Sequence, residues 1–238
     1  MDSAGGAKNR IWEIDFLRGL FILLMVVFHF FFDLYNFTEF KIIDFNNPII
    51  RALPYFSAIF ISASGISSTF SRNNVRRGLK LMAVALAISL VTYLISPDVF
   101  VKFGILHFLA VCMIAWPIFG RLDWKWLVAL GLVIIGLGLY FTTIHTDIAF
   151  LFPFGITVDG FSSGDYYPLF PYAGIFMFGA ALGKTVYAGK KSLLKWDLKP
   201  NVINLAGRHS LLIYVFHQPL IIGALWIASK ISGWELTL

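Results

Sequence analysis

An all-α, polytopic membrane bundle of about seven spans is the fold class this sequence predicts, and three observations predict it. Of 238 residues, 58% are hydrophobic and only 13% charged, with a mean hydropathy of +0.79, too apolar for a soluble domain. The apolar residues gather into seven stretches, about 16–35, 49–70, 79–96, 103–120, 124–144, 168–187 and 206–229, and roughly 20 residues suffice to cross a hydrocarbon layer of about 30 Å. The basic residues also sort by side. With the N-terminus in the cytoplasm, only Lys41, Arg51, Lys102 and Lys230 of the 19 Lys and Arg residues fall outside. That bias emerges only for an odd number of spans, so the C-terminus is expected outside.

The first stretch carries Asp15 and Arg18 at its mouth and stays apolar through Phe32, with His29 and Asp33 toward its far end. Met1–Lys8 is polar and no small-residue cleavage site follows, so no cleavable signal peptide is expected. Asn-, Pro- and charge-bearing connectors separate the next stretches. The fourth runs from outside to inside and carries His107 near its outer edge. The connector His145–Tyr167, with Asp147, Asp159 and Asp165, reads as an acidic outer lid before the sixth stretch. The connector Lys184–Pro200, with five lysines, reads as a basic inner surface that orients the chain or docks a polyanion. The seventh stretch is opened by Arg208, His209 and Ser210 behind Gly207 and carries Tyr214, His217 and Gln218. Pro219 should kink it. No internal repeat is visible, and residues 1–238 read as a single transmembrane domain.

Composition also narrows the function. The single Cys112 lies in an apolar run and excludes an internal disulfide and any cysteine-built metal site; no metal is expected. The net charge of +6 comes from residues at span ends, where anionic lipid and orientation account for it, so no nucleic-acid partner is expected. His145 and the sequon Asn36-Phe37-Thr38 read as surface features.

Two groups of polar residues remain, and both are costly in a bilayer. Arg18 and His29 are eleven positions apart, about three helical turns, so they share a face at depths about 16 Å apart. Counted from Phe16, His29 lies about 18 to 20 Å across the layer, and Asp33, one turn further, sits where its carboxylate could fix the tautomer and raise the basicity of the ring. A structural hydrogen-bonded pair between helices would use the same two residues. At the inner edge Asp15, Arg18, Arg208, His209 and Ser210 form an anion site suited to phosphate. A helix-start pair at Asp15–Arg18 with a snorkelling Arg208 explains them equally well. Ser210, Tyr214 and His217 share one face of the seventh stretch, and Gly179–Gly183 permits a close helix contact, inside the bundle or in a homo-oligomer.

At these residues the chain resembles a known family. The segments Arg10-Ile-Trp-Glu-Ile-Asp15-Phe-Leu-Arg18-Gly19, Phe103-Gly-Ile-Leu-His107-Phe-Leu, Asp165-Tyr-Tyr-Pro-Leu-Phe-Pro-Tyr-Ala-Gly174 through Lys184, and Gly207-Arg-His-Ser-Leu-Leu-Ile-Tyr-Val-Phe-His217-Gln-Pro219 resemble the catalytic domain family of heparan-α-glucosaminide N-acetyltransferase. The spacing from Arg18 to His29 is also similar to that of the acyltransferase-three family of membrane O-acetyltransferases. The resemblance implies a transmembrane acetyltransferase that takes acetyl-CoA from the cytoplasm and acetylates an amino sugar or glycan on the far side. It implies that Arg18 helps hold the CoA phosphates and that His29 is the active-site histidine. The animal lysosomal branch places its key histidine in the loop after the first helix, whereas Tyr35–Pro48 here contains none. The compact length is that of bacterial and archaeal members, which implies the prokaryotic cell (inner) membrane.

Joined to the residue reading, this yields a full set of expectations. CoA is held by Arg18, Arg208 and Lys184, in a path also lined by Asp15, His209, Tyr214 and His217. The thioester meets His29, Asp33 orients that ring, His107 or Tyr214 donates to the oxyanion, and the stretch around Asp165 receives the acceptor. Direct transfer and an acetyl-histidine intermediate both remain open. N-acetyl transfer is favoured. An O-acetyltransferase of a surface polysaccharide is the alternative within the class, and a proton-coupled transporter the alternative outside it. A seven-helix photoreceptor would need a mid-span lysine, which the seventh stretch lacks.

Overall fold

The computed structural model describes residues 11–144, 146–194 and 201–234. Lys8, Arg10, His145, Lys195 and Lys199, all singled out in the sequence, lie outside them. Helix accounts for 71% of the structure and the described residues contain no strand, so the all-α class holds. The helices are α1 (Trp12–Phe37), α2 (Pro48–Ala52), α3 (Ser57–Phe70), α4 (Asn74–Ile95), α5 (Ile105–Ile114), α6 (Trp116–Phe119), α7 (Trp124–Phe141), α8 (Leu169–Lys184), α9 (Val202–Arg208) and α10 (Ser210–Ser232). They form two compact units, one of residues 1–60 with 194–238 and one of residues 61–193.

Among the described residues five helical segments are long and apolar enough to cross a bilayer: Trp12–Phe37, Ile50–Phe70, Asn74–Ile95, Trp124–Phe141 and Ser210–Ser232. Many large side chains on them face outward, among them Leu24, Val27, Leu86, Leu90, Leu132 and Leu220; in lipid such a surface is matched to its solvent, and this is an integral membrane protein. All seven apolar stretches of the sequence become helical. Two of them yield helices shorter than a span, α5 and α8. The 103–120 stretch breaks at Ala115 because Pro117, inside α6, has no N–H with which to continue the α5 ladder. The 206–229 stretch is also cut, at His209, whose φ of −105° and ψ of 18° separate α9 from α10.

In the first unit, the first turn of α1 carries Glu13 and Asp15, which suits the positive end of the helix dipole. Asn201 caps α9 by accepting from the Asn204 N–H at 2.8 Å, and α10 stops at Gly233, whose φ of +76° is a left-handed cap natural to glycine. α9 runs antiparallel to the start of α1: Gly19 lies against Ile203 and Gly207, and Gly207 against Asp15. α10 then turns back and runs parallel to α1, so that Arg18 meets Ser210, His29 meets His217 and Asp33 meets Gln218. Past the end of α1, Phe45 packs on Phe28, Phe32 and Tyr35 at 6.0, 5.6 and 5.0 Å, folding the connector back onto its helix. Phe40 reaches Trp234 just beyond α10 at 5.6 Å.

In the second unit α7 packs on α8, α4 on α5, and α8 on the remainder of α3. The Gly179–Gly183 pair faces α3 within the unit: a side chain at Gly179 would meet the Ser62 backbone, and one at Gly183 would meet Thr69. The connector before α8 returns to the start of α5 through hydrogen bonds from Gly164 N to Phe100 O (3.0 Å) and from Tyr167 N to Phe103 O (2.9 Å).

Gly207→Val is expected to lower the unfolding temperature in detergent markedly, by the 1–3 kcal/mol or more typical of overpacking, since its Cβ would run into the Asp15 carbonyl. Gly223→Ala, with nothing within 4 Å of the added carbon, should leave it unchanged or raise it. Equal losses in the two variants would show that the α1–α9 contact does not set the fold.

Candidate functional site

The N-terminal end of α1 and the α9–α10 elbow build one polar cluster. Arg18 Nη2 donates to Ser210 Oγ at 3.0 Å, and its guanidinium lies 5.6 Å from the centre of the Phe60 ring. Ser210 is buried at the first position of the 23-residue α10, where free backbone N–H groups and the helix dipole favour an anion. Arg208 Nε stands 3.6 Å from Asp15 Oδ2, with Arg208 43% and Asp15 13% exposed, so the cation faces solvent while the carboxylate is set into the protein. His209 is exposed at the elbow itself. The sequence places a break at Gly207 with Arg208, His209 and Ser210 opening the helix behind it, whereas the structure puts the break at His209, so that Arg208 ends α9 and Ser210 begins α10.

About three turns further along α1 lies a pair of imidazoles. The rings of His29 and His217 are 5.0 Å apart, edge to face at 81°. His29 Nδ1 donates to the Met25 carbonyl at 2.9 Å, and His217 Nδ1 to the Tyr214 carbonyl at 2.6 Å. The Tyr214 ring is 5.6 Å from that of His217. Asp33 differs from its expected role. Its Oδ2 accepts from Gln218 Nε2 at 2.7 Å, and the His29 ring is aimed by a backbone carbonyl instead. Asp33 is 2% exposed, and Gln218 Oε1 is buried with no hydrogen-bond partner. The Asp33–Gln218 bond was invisible in the sequence, since the two residues are 185 positions apart. Glu13 was also missed. It is buried and accepts from the Leu194 N–H at 2.9 Å; its place in the first turn of α1 was the only signal.

The second unit gives different work to residues expected at the site. His107 Nδ1 accepts from the Gly104 N–H at 3.3 Å, so Nε2 carries the hydrogen and donates to Ser89 Oγ at 3.1 Å, while Ser89 donates onward to the Val101 carbonyl at 2.6 Å. Both ring nitrogens are engaged, and the ring is 5% exposed. His107 therefore caps the start of α5 rather than offering a base or a free donor. Asp165 completes that cap by accepting from the Ile105 N–H at 2.9 Å. Lys184 is likewise corrected: its Nζ donates to the carbonyls of Gly120 and Leu122 at 2.8 and 2.6 Å, bracing the turn between α6 and α7. In the same connector as Asp165, Tyr166 donates to the Phe152 carbonyl at 2.7 Å. Burial, with Tyr172 beside it, pushes its phenol up to about 12, so it keeps its proton. Among the described residues no three His, Cys, Asp or Glu side chains gather as metal ligands would.

Residues 10–219 match the family model of the heparan-alpha-glucosaminide N-acetyltransferase catalytic domain. The chain belongs to that family. The matched span begins just before α1 and closes at Pro219, so it contains the Arg18–Ser210 contact, the two imidazoles and the Asp33–Gln218 pair, and omits the second half of α10. Membership implies a membrane acetyltransferase, and with it an acetyl donor and a glycan acceptor. No curated protein and no solved structure matches the chain.

Removing the hydrogen bond that Asp33 accepts should be costly, because the carboxylate stays buried. Gln218→Leu is expected to destabilise the protein by about 1–3 kcal/mol, seen as a lower midpoint in detergent unfolding. His107→Leu should do the same by leaving the Gly104 N–H unsatisfied and removing the donor to Ser89 Oγ. Wild-type unfolding of His107→Leu would contradict the capping assignment.

Proposed function

We propose that this protein takes an acetyl group from acetyl-CoA on the cytoplasmic side of the cell (inner) membrane and transfers it to the amino group of a sugar on the outer side. The observation that carries this reading is the parallel pairing of α1 with α10, with Arg18 beside Ser210 at one end and His29 beside His217 further along. Arg18 and His29 are eleven residues apart, about 16 Å along the helix, a span comparable to an extended pantetheine arm. The cationic end fits the phosphates of CoA. Arg18 offers planar donors, the N-terminus of α10 offers free N–H groups, and Arg208 adds charge from the surface.

The chemistry needs a base where the thioester ends, and His29 fills that role. Its Nδ1 hydrogen is committed to the Met25 carbonyl, so its lone pair is on Nε2, which can take up the proton of an attacking nucleophile or attack the thioester itself. Asp33 lies one turn outward and is buried. With Gln218 Oε1 it offers hydrogen-bond acceptors to a sugar bearing N–H or O–H groups, and the preference for N- over O-acetyl transfer is supported by the family match.

Labelled acetyl-CoA offered with glucosamine and with N-acetylglucosamine tests the proposal. Acetylation of glucosamine alone is the expected result, abolished in His29→Ala. Acetylation of N-acetylglucosamine instead would favour O-transfer, and no acetyl-CoA consumption with any acceptor would overturn the reading. In Arg18→Ala, loss of a charge-assisted contact of about 1.5–3 kcal/mol should weaken acetyl-CoA binding about 10- to 100-fold, measured by ligand-dependent thermal stabilisation. Unchanged affinity would remove Arg18 from the site.

A further inference from the structure

The connector between α7 and α8 carries an apolar run that acetyl transfer does not use. From Ile148 to Val158 no residue is charged, and Asp147 and Asp159 bound the run, which is too short to cross a bilayer. It folds as a 3₁₀ helix over Ala149–Phe154 that stops at Gly155, whose φ of +98° is left-handed. One side of this segment is seated in the protein. The Phe152 ring lies 6.4 Å from that of Phe103 and 5.8 Å from that of Phe161, and Tyr166 donates to the Phe152 carbonyl. The other side is open, with Phe150 74% exposed and Ile148 and Phe154 exposed beside it. The sequence reads this connector as an acidic lid, but Asp165 turns inward to cap α5, and what the 3₁₀ helix turns outward is apolar.

Depth decides what covers that side. α7 has 18 residues, about 27 Å of helix, close to the thickness of a hydrocarbon layer, so Phe141 at its end stands at the edge of the layer. Phe170 packs on Phe141 at 5.1 Å, and Gly155 lies so near the Phe170 carbonyl that a Cβ there would come within 2.8 Å of it. The 3₁₀ helix therefore ends level with the last turn of a membrane-crossing helix. Its open side continues the outward surface of α7, where Leu132, Val133, Leu139 and Tyr140 are exposed. Its backbone is also closed in the way lipid requires. Ile148 N donates to Thr146 Oγ1 at 3.1 Å, Leu151 N to Ile148 O at 3.3 Å and Gly155 N to Phe152 O at 3.1 Å, while Pro153 has no N–H to satisfy.

We infer that residues 148–158 are an interfacial anchor seated among the acyl chains of the leaflet in which α7 ends. Phe150 is its most deeply inserted side chain, and Asp147 and Asp159 stand at the water line. The partner is lipid hydrocarbon, so the anchor holds the connector, and the start of α5 beneath it, at a fixed depth. This inference is independent of the acetyl-transfer reading.

Spin labels measure that depth in vesicles of phosphatidylcholine and phosphatidylglycerol. The buried Cys112 is replaced by Ala, and single labels are attached through Phe150→Cys, Phe154→Cys and Asp159→Cys, with Leu132→Cys as a lipid-facing reference. Collisions with oxygen, which concentrates in lipid, are compared with collisions with a water-soluble nickel chelate. The label at 150 should resemble that at 132 and lie about 5–10 Å deeper than that at 159, the insertion usual for an interfacial segment. The side chains of Phe150 and Phe154 are both exposed, so the label at 154 repeats the measurement if the first variant does not reconstitute. Labels at 150 and 154 as open to the nickel chelate as that at 159 would overturn the inference in favour of a water-facing lid. Labels shielded from both reagents would overturn it in favour of a protein contact, such as a second copy of the chain.

Discussion

The contact between the backbones of α1 and α9 at Gly19 and Gly207 fixes the first unit. A Cβ at either glycine would run into a carbonyl oxygen of the other helix, so only hydrogen at both positions permits the approach. In lipid, where apolar side chains gain nothing from leaving one apolar solvent for another, such close van der Waals contact is a main source of helix association. It also sets the register. With α9 pinned against the first turns of α1, the elbow at His209 has to fall level with Asp15 and Arg18, and α10 must start there and run alongside α1. The Arg18–Ser210 bond and the His29–His217 contact are consequences of that register.

The second governing fact is the absence of water from a bilayer core. Every polar group on α1 and α10 has to find a partner from the protein or be neutral. The two histidines take the hydrogen-bonding option nearest to hand, a carbonyl of their own helix, which costs no additional side chain and leaves one basic nitrogen free. Asp33 takes the amide of Gln218. Pro219 contributes beside them, since it has no N–H to give to the Val215 carbonyl and so loosens the ladder next to His217 and Gln218. The same constraint explains His107, where the uncapped start of α5 is closed by an imidazole and a carboxylate rather than by solvent.

The sequence was informative wherever the signal was local. Seven apolar stretches became helix because each stretch satisfies its backbone internally, and Arg18, His29 and Asp33 were singled out because ionisable groups in such stretches are expensive. Local sequence says less where one residue has two competing uses. His107 and Lys184 carry the chemistry of a site, yet N–H and carbonyl groups at the ends of α5 and at the α6–α7 turn claim them first. Asp33 was matched to its neighbour at i−4, but a residue 185 positions away offered the better hydrogen bond. The break expected at Gly207 falls at His209 instead, where hydropathy runs on without a signal.

By itself the sequence determined an all-α membrane protein of one acetyltransferase family, because composition, apolar run length and the motifs from Arg10 to Pro219 are properties of the chain read in order. Tertiary structure alone decided which helix stands beside α1, in which direction it runs, and which imidazole the other one touches. Those depend on a backbone approach between glycines 188 positions apart in Gly19 and Gly207, and no local pattern encodes the distance between two segments that meet only when folded.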